Sequence, residues 1–274
     1  MNFYNNFTNK HLKIAHRGYR SIRPENTLSA FEASIGKFDF IELDIQVTKD
    51  LELVVFHDYK LERTTNINKN KNFPFNGSYN IYDYTLEELR LLDIQNWFIK
   101  DDPFGKIKKG KVTKEELKSL TKQAILTVDD ILLFAQTNNI ALNIELKDCD
   151  CIEDELFVSK LLSCIDKHNI KIPLLISSFN DNYLKIIKEK SHNIATAINI
   201  ENKHPEDLIN YVNSLNVQSY HCAVNIATPS VVKRLIDAGF VVNVFTVNDE
   251  KKASELFDMG IKSIFTDYCL ECTS

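Results

Sequence analysis

Nine short apolar, β-branched runs alternate with amphipathic stretches of about a dozen residues, the pattern of parallel strands joined by crossover helices. The runs fall at 12–15, 40–47, 51–56, 141–146, 173–178, 194–198, 219–223, 241–247 and 263–266. Helical periodicity occupies 26–35, 128–136, 153–168, 181–190, 205–214, 229–238 and 249–259, with Gly239 and Gly260 as stop signals after the last two. One connection departs from this pattern. Only Thr48, Lys49 and Asp50 separate the second and third runs, too few residues for a crossover, so these two must form a hairpin. A turn centred between Asp50 and Leu51 sets Asp44 opposite His57. Eight parallel strands then remain in 274 residues, close to the roughly 250 typical of a (β/α)8 TIM barrel. The expected fold is one α/β domain over residues 1–274, a TIM barrel with an extra hairpin strand; an open doubly wound sheet is the rival layout.

From 59 to 118 the alternation lapses into turn residues, aromatics and two short helical patterns near 86–92 and 114–120. An insertion placed straight after His57 belongs above the barrel mouth, where long loops act as lids. It carries a local charge of +3 in a chain of net charge −5; the cluster Lys106, Lys108, Lys109 and Lys111 reads as a solvated surface before it reads as an anion trap. With a pI near 5.8 the chain lacks the global basic field that holds nucleic acid. Residues Met1 to Lys10 are polar, and neither a signal-peptide core nor an apolar run of about 18 residues is present, so no integral membrane segment and a cytoplasmic location are expected. The six cysteines (Cys149, Cys151, Cys164, Cys222, Cys269, Cys272) read as thiols in a chain long enough to fold without staples. Cys149 and Cys151 alone make a weak zinc signal.

In a barrel, chemistry gathers where strands end at the C-terminal face. The first run ends in His16-Arg17-Gly18, the second carries Glu42 and Asp44, the hairpin ends in His57-Asp58, and the fourth run ends in Glu145-Leu146-Lys147. Residues at i and i+2 share a strand face, so Glu42, Asp44 and Glu145 converge. Three carboxylates together repel unless a cation or protons intervene, and oxygen-only donors suit Mg²⁺ or Ca²⁺, with Mn²⁺ a further candidate, over zinc. Each residue alone also has a bland reading: His16 as a satisfied core histidine, His57 as a hairpin end, Lys147 as a partner of Glu145. Their joint placement favours a site, because unpaired buried charges cost several kcal/mol each. Three carboxylates, one divalent cation, Arg17 and Lys147 leave a balance near +1, which suits a singly charged phosphodiester. Arg17 can donate to its oxygens, and two imidazoles can divide the proton transfers.

These residues lie within a longer pattern. Pro24-Glu25-Asn26-Thr27, Glu42 to Asp50, Phe56-His57-Asp58, Leu61-Glu62-Arg63-Thr64-Thr65, Ile144 to Lys147, Ser177-Ser178-Phe179, Thr246-Val247-Asn248 and Thr266-Asp267-Tyr268 follow His16-Arg17-Gly18 in order. In this the chain resembles the glycerophosphodiester phosphodiesterase family. The resemblance implies a (β/α)8 barrel, a small-molecule glycerophosphodiester substrate hydrolysed to glycerol phosphate and an alcohol, and one Mg²⁺ or Ca²⁺. It implies His16 and His57 as the acid/base pair, Glu42, Asp44 and Glu145 as metal ligands, and Arg17 and Lys147 as phosphate contacts. Attack by the neighbouring glycerol hydroxyl, giving a cyclic phosphate, and direct attack by water are both compatible with it.

Phe245 stands where the family usually has tryptophan, keeping an aromatic wall against the glycerol carbons or a choline-like head group. Ile125-Leu126-Thr127-Val128 lacks the family's usual proline. Asn26 is read as a helix N-cap, and Glu25 either touches the metal shell or orients Arg17. Related phospholipase D or sphingomyelinase D barrels act on lipids, and the insertion's Phe73, Phe75, Tyr79, Tyr82, Tyr84, Trp97, Phe98 and Phe104 would serve an acyl chain or a lid core. A catalytically silent barrel that binds metal or glycerophosphate is the third reading; the pair of histidines argues against it.

Overall fold

Eight strands hydrogen-bond into a closed ring. The computed structural model describes residues 2–73, 75 and 77–271. Its strands are β1 (Leu12–Ala15), β2 (Phe40–Val47), β3 (Leu53–Val55), β4 (Leu142–Leu146), β5 (Leu174–Ser178), β6 (Ala195–Ile200), β7 (Ser219–Ala223), β8 (Val241–Phe245) and β9 (Ser263–Thr266). Parallel pairing runs β1-β9-β8-β7-β6-β5-β4-β2, and β1 pairs with β2 to close the barrel; β3 lies outside, antiparallel to β2. The open-sheet alternative is excluded by that closing pair.

Helices cover the outside: α1 (Leu28–Ser34), then α2 (Leu86–Leu89), α3 (Asn96–Asp101) and α4 (Lys114–Ser119) within the insertion, then α5 (Val128–Asn138), α6 (Asp154–Lys167), α7 (Asp181–Lys190), α8 (Leu208–Leu215), α9 (Pro229–Asp237) and α10 (Glu250–Asp258). Local chemistry sets their limits. At α5, Thr127 and Asp130 form a reciprocal capping box, Asn139 closes the helix in the left-handed conformation, and Val128, Ile131, Leu132 and Ala135 make the buried stripe. At α1 the N-cap is Thr27, whose hydroxyl accepts from the Ala30 N–H. Asn26 does not cap, contrary to the sequence reading; its amide is drawn instead to Asp44, at 3.0 Å.

The hairpin register also differs by one residue from expectation. Ile45 faces Val55 and Val47 faces Leu53, so Asp44 lies opposite Phe56, whose N–H donates to the Asp44 carbonyl at 3.0 Å. The reason is a three-residue loop, Lys49 to Leu51, with Leu51 at φ 62° and Thr48 N–H donating to the Glu52 carbonyl at 3.0 Å. His57 nevertheless reaches the mouth, because β3 ends at Val55 and the buried Gln46 amide donates to the carbonyls of Phe56, His57 and Asp58.

The barrel floor is built by the N-terminus. Phe3 and Tyr4, in a 3-10 turn over Phe3–Asn6, are buried with Leu12, Ile14, Phe40 and Phe265, and Tyr4 OH accepts from Asn243 at 2.5 Å. Gly18 sits at φ 78°, and a Cβ there would lie 2.8 Å from the Ala30 carbonyl carbon. Only glycine fits between β1 and α1.

The insertion contains one helix, α3, that the sequence reading missed. Its aromatics mostly build cores: Phe73, Tyr79 and Tyr84 bury with Val54 and Phe56, and Phe98 buries with Leu117 while Trp97 and Phe104 pack alongside. It meets the rim through Arg20 over Phe104 at 5.3 Å, Lys106 over Tyr268 at 4.6 Å, and the Arg23–Glu116 ion pair at 2.6 Å. One cysteine expectation fails: Cys149 and Cys151 are disulfide-bonded, because the turn after β4 brings their Cα atoms to 5.3 Å. Cys164, Cys222 and Cys269 are thiols, and Cys272 lies outside the described residues. Among the described residues no helix is long and apolar enough to cross a membrane.

Candidate active site

Strand register brings the sequence-selected residues to one end of the barrel. Asp44 on β2 pairs with Glu145 on β4, and Glu42 shares the face of Asp44. One oxygen from each of Glu42, Asp44 and Glu145 lies within 4.8 Å of the others. Ala15 on β1 pairs with Thr266 on β9, which sets His16 beside Asp267. His16, Arg17, Glu42, Asp44, His57, Glu145, Lys147 and Phe245 all line one cavity of about 300 Å³.

Each imidazole is held by a carboxylate. His16 Nδ1 lies 2.8 Å from Asp267 Oδ1, and His57 Nδ1 lies 2.6 Å from Asp58 Oδ1. A carboxylate only accepts, so both Nδ1 atoms donate and Nε2 is the remaining nitrogen in each ring. Asp267 is itself fixed by Asn248 at 2.7 Å and Arg20 at 2.7 Å. Burial, followed by the charge of Arg17, lowers His16 to about 4 against the opposing pull of Asp267. The Asp267 carboxylate is partly neutralised by Arg20, so burial wins and His16 is neutral at pH 7.

The acidic cluster is electrostatically unfavourable by itself. Burial, then repulsion from Asp44 and Glu145, holds the Glu42 carboxyl well above its ordinary range. Glu145 is also raised, by burial first and with Asp44 adding to it. Burial would raise Asp44 as well, but Arg17, His57 and Lys147 outweigh it and hold it low. The surrounding donors are the Arg17 N–H to Glu42 at 2.8 Å, Asn26 to Asp44 at 3.0 Å, Asn199 to Glu145 at 3.1 Å and Lys147 to Glu145 at 2.9 Å. Two buried carboxylates and a partly buried third, with two cations beside them, are short of positive charge, and their oxygen-only donor set fits a hard divalent ion.

Arg17 turns into the cavity at φ 55°. Its guanidinium contacts Glu25 at 3.0 Å and Asp44 at 3.3 Å. Glu25 lies among Arg17, Arg20 and Arg63, which places it with the arginines and outside the carboxylate cluster. Phe245 packs edge-on against Phe179 and Phe265, at 6.0 and 6.1 Å, an aromatic wall of the same cavity.

Sequence reasoning quoted Asp58, Arg63, Asn248 and Asp267 within motifs but gave them no part. Arg63 bonds to both Asp58 (2.5 and 2.9 Å) and Glu25 (2.6 and 3.0 Å), linking the carboxylate behind His57 to the one beside Arg17. The signal available in sequence was an arginine a few residues beyond His57-Asp58. Replacing it with methionine is expected to lower kcat about tenfold or more with a smaller change in KM, since the lost groups are positioning ones. Lysine should restore only part of kcat, having no planar fork. Unchanged kcat in both variants would remove Arg63 from the positioning set.

A family model for the glycerophosphoryl diester phosphodiesterase family matches residues 16–271. A glycerophosphodiester phosphodiesterase of Bacillus altitudinis is 32% identical over 262 residues, covering 93% of this chain and 94% of that protein. A glycerophosphodiester phosphodiesterase of Bacillus subtilis is 30% identical over 269 residues, 94% of this chain and 83% of its own length. Among solved structures, a phosphodiesterase of Oleispira antarctica in complex with the product sn-glycerol-3-phosphate superposes with a TM-score of 0.79 at 26% identity, covering 97% of this chain and 95% of that one.

Proposed function

This chain belongs to the glycerophosphoryl diester phosphodiesterase family and is a phosphoric diester hydrolase, and from that premise we propose how its residues divide the work. The substrate is a small glycerophosphodiester, cleaved to glycerol phosphate and a free alcohol. The observation that carries this reading is the single 300 Å³ cavity lined by both imidazoles, the three carboxylates, Arg17 and Lys147. The product named for the Oleispira antarctica neighbour, sn-glycerol-3-phosphate, supports the same substrate class.

Glu42, Asp44 and Glu145 would hold one divalent cation, Mg²⁺ or Ca²⁺ by donor type; such an ion supplies Lewis-acid polarisation of the phosphoryl group. Arg17 and Lys147 face the non-bridging oxygens as charge-assisted donors. The Phe245 wall packs the glycerol carbons. His16 and His57, each fixed through Nδ1, exchange protons with nucleophile and leaving alcohol through Nε2: one ring accepts a proton while the other donates one.

Counting the partners the structure adds, Arg20 and Arg63 against Glu25, Asp58 and Asp267, lowers the balance from about +1 to about zero with an ion bound and both rings neutral. One protonated imidazole restores the positive field an anionic diester needs. Neutral and cationic forms of the two rings are also what a paired acid and base require.

The test is product release from a panel of glycerophosphodiesters, with and without chelator. Expected products are glycerol phosphate and the free alcohol, with phosphorus NMR reporting any cyclic phosphate formed by attack of the glycerol hydroxyl. Release of a phosphorylated alcohol and free glycerol would mean that the wrong ester bond had been assigned, and no release with Mg²⁺, Ca²⁺ or Mn²⁺ would sink the reading.

A further inference from the structure

Cysteines that the sequence reads as thiols are bridged between Cys149 and Cys151, and the proposed chemistry uses neither sulfur. The bridge is a poor staple. Loop-closure entropy grows with the length of chain enclosed, and this bridge encloses one residue, Asp150. Its surroundings need no staple either: Cys149 belongs to the same buried core as Leu146, Phe157 and Tyr183, in a chain of 274 residues, long enough to fold without disulfides.

The two ends of the bridge differ. Cys149 is buried and its N–H donates to Tyr183 OH at 3.3 Å, whereas Cys151 is exposed. Attack by an external thiolate is therefore directed at Cys151, and Cys149 becomes the leaving sulfur. The Cys151 N–H donates to Cys149 Sγ at 3.3 Å, a donor placed to meet the negative charge that develops there. Accessible bridges are the ones that exchange; buried ones are structural.

The bridge also stands at the active-site mouth. It begins two residues after Lys147, which lines the catalytic cavity. Before the bridge the chain is pinned: the Lys147 N–H donates to the Ile45 carbonyl at 3.2 Å, and Asp148 accepts from the Asn180 amide at 2.8 Å. Beyond it the hold is slight. Asp150, Cys151 and Glu153 are exposed, only Ile152 packs on the core, and Glu153 makes no side-chain cap to α6. The disulfide is what ties Asp150 and Cys151 back to the rim.

We propose that Cys149–Cys151 is a redox-active disulfide, opened through Cys151 by a dithiol reductant, and that its state sets how well the mouth holds the diester. In the first step a thiolate of the reductant bonds to Cys151 Sγ, the Cys149–Cys151 bond breaks, and its electron pair leaves on Cys149, which takes a proton. The reductant's second thiol then displaces Cys151, which is protonated in turn. Two electrons and two protons pass to the bridge, and the reductant is left as its own disulfide. Asp148 and Asp150 flank the sulfurs, so an otherwise uncharged dithiol should exchange faster than the anionic monothiol glutathione, with salt narrowing the difference. The exchange itself does not depend on the hydrolase reading; its effect on turnover does.

The experiment treats the folded parent protein with dithiothreitol, without denaturant, alkylates it with iodoacetamide, and measures kcat and KM before and after on one glycerophosphodiester. Two further alkylated thiols, mapped to Cys149 and Cys151, are expected. Lys147 keeps its own anchors, so KM should rise about fivefold with kcat within about twofold, the pattern of weakened substrate holding, and oxidised glutathione should reverse it. The Cys149→Ser/Cys151→Ser double variant and the Cys151→Ser single variant should show the reduced KM without reductant, ignore reductant, and melt within about 3 °C of the parent, since so short a loop contributes little to stability. Cys164→Ser, a thiol on α6, should keep the full response. A bridge that opens only when the protein unfolds, or variants that melt far below the parent, would make the disulfide structural and overturn the proposal. A bridge that opens with KM and kcat unmoved overturns its control of the mouth. If the variants do not fold, the reversible response of the parent decides; if no diester turns over, the thiol count still decides the exchange, and that failure belongs to the hydrolase reading.

Discussion

Replacing His16 or His57 with alanine should lower turnover by about 10² to 10⁴-fold, the usual contribution of a positioned proton-transfer group, while the barrel stays folded. The geometry makes this expectation specific. Neither ring lies within the carboxylate cluster, so divalent-ion affinity should change little in either variant, and a loss of kcat with intact ion binding separates proton transfer from ligation. Asp267→Asn should reproduce part of the His16 defect. An amide facing Nδ1 at 2.8 Å no longer enforces the tautomer that leaves Nε2 free to accept a proton. Stability carries its own signature. Burial and Arg17 hold the folded pKa of His16 near 4, below its ordinary 6.5. The neutral ring therefore favours the folded state above pH 6.5, and that contribution is lost as pH falls from 6.5 towards 4. His16→Ala should soften acid unfolding across that window. Turnover within threefold of the parent in either histidine variant would falsify the acid/base assignment.

The barrel was legible because its strands and helices follow local rules. β1, β2, β7 and β9 begin and end at the expected residues; β1, β2 and β9 are apolar runs flanked on both sides by polar residues. The register of the β2–β3 hairpin was not legible. It depends on whether Leu51 adopts positive φ, and nothing in a leucine announces that. Of the site, the residues at strand ends were readable because period-2 alternation fixes which side chains share a face. The groups behind them were not. Asp267 reaches His16 only because β9 closes the ring beside β1, a pairing between residues about 250 positions apart. Arg63 gains its meaning only when Glu25 and Asp58, from different loops, stand on either side of it. Asn26 looked like a cap by composition, but its Nδ2 donates to the buried Asp44 carboxylate, and the helix N–H is accepted one residue later by the Thr27 hydroxyl.

Chelating divalent ions should reduce turnover at least 100-fold, and restoring Mg²⁺, Ca²⁺ or Mn²⁺ should recover it and raise Tm. A ligand at about 100 times its Kd stabilises by about 2.7 kcal/mol, which for a chain of this size corresponds to a rise of roughly 5 to 10 °C. The sign of the pH dependence follows from the cluster. Glu42 and Glu145 are raised above their ordinary values by burial and by their acidic neighbours, so without an ion they compete for protons. Ion binding must displace those protons, and affinity should weaken as pH falls through the raised carboxyl range; calorimetry in buffers of different ionisation enthalpy would count the protons released. Glu42→Gln then separates function from stability. At neutral pH Glu42 destabilises the ion-free protein, because its folded pKa lies above its unfolded one. A neutral isostere removes that penalty, so the ion-free variant should melt no lower than the parent even as its ion-induced rise in Tm and its turnover collapse. Chelator-resistant turnover, or a Glu42→Gln protein that keeps the full ion-induced rise, would show that the three carboxylates are not the ion's ligands.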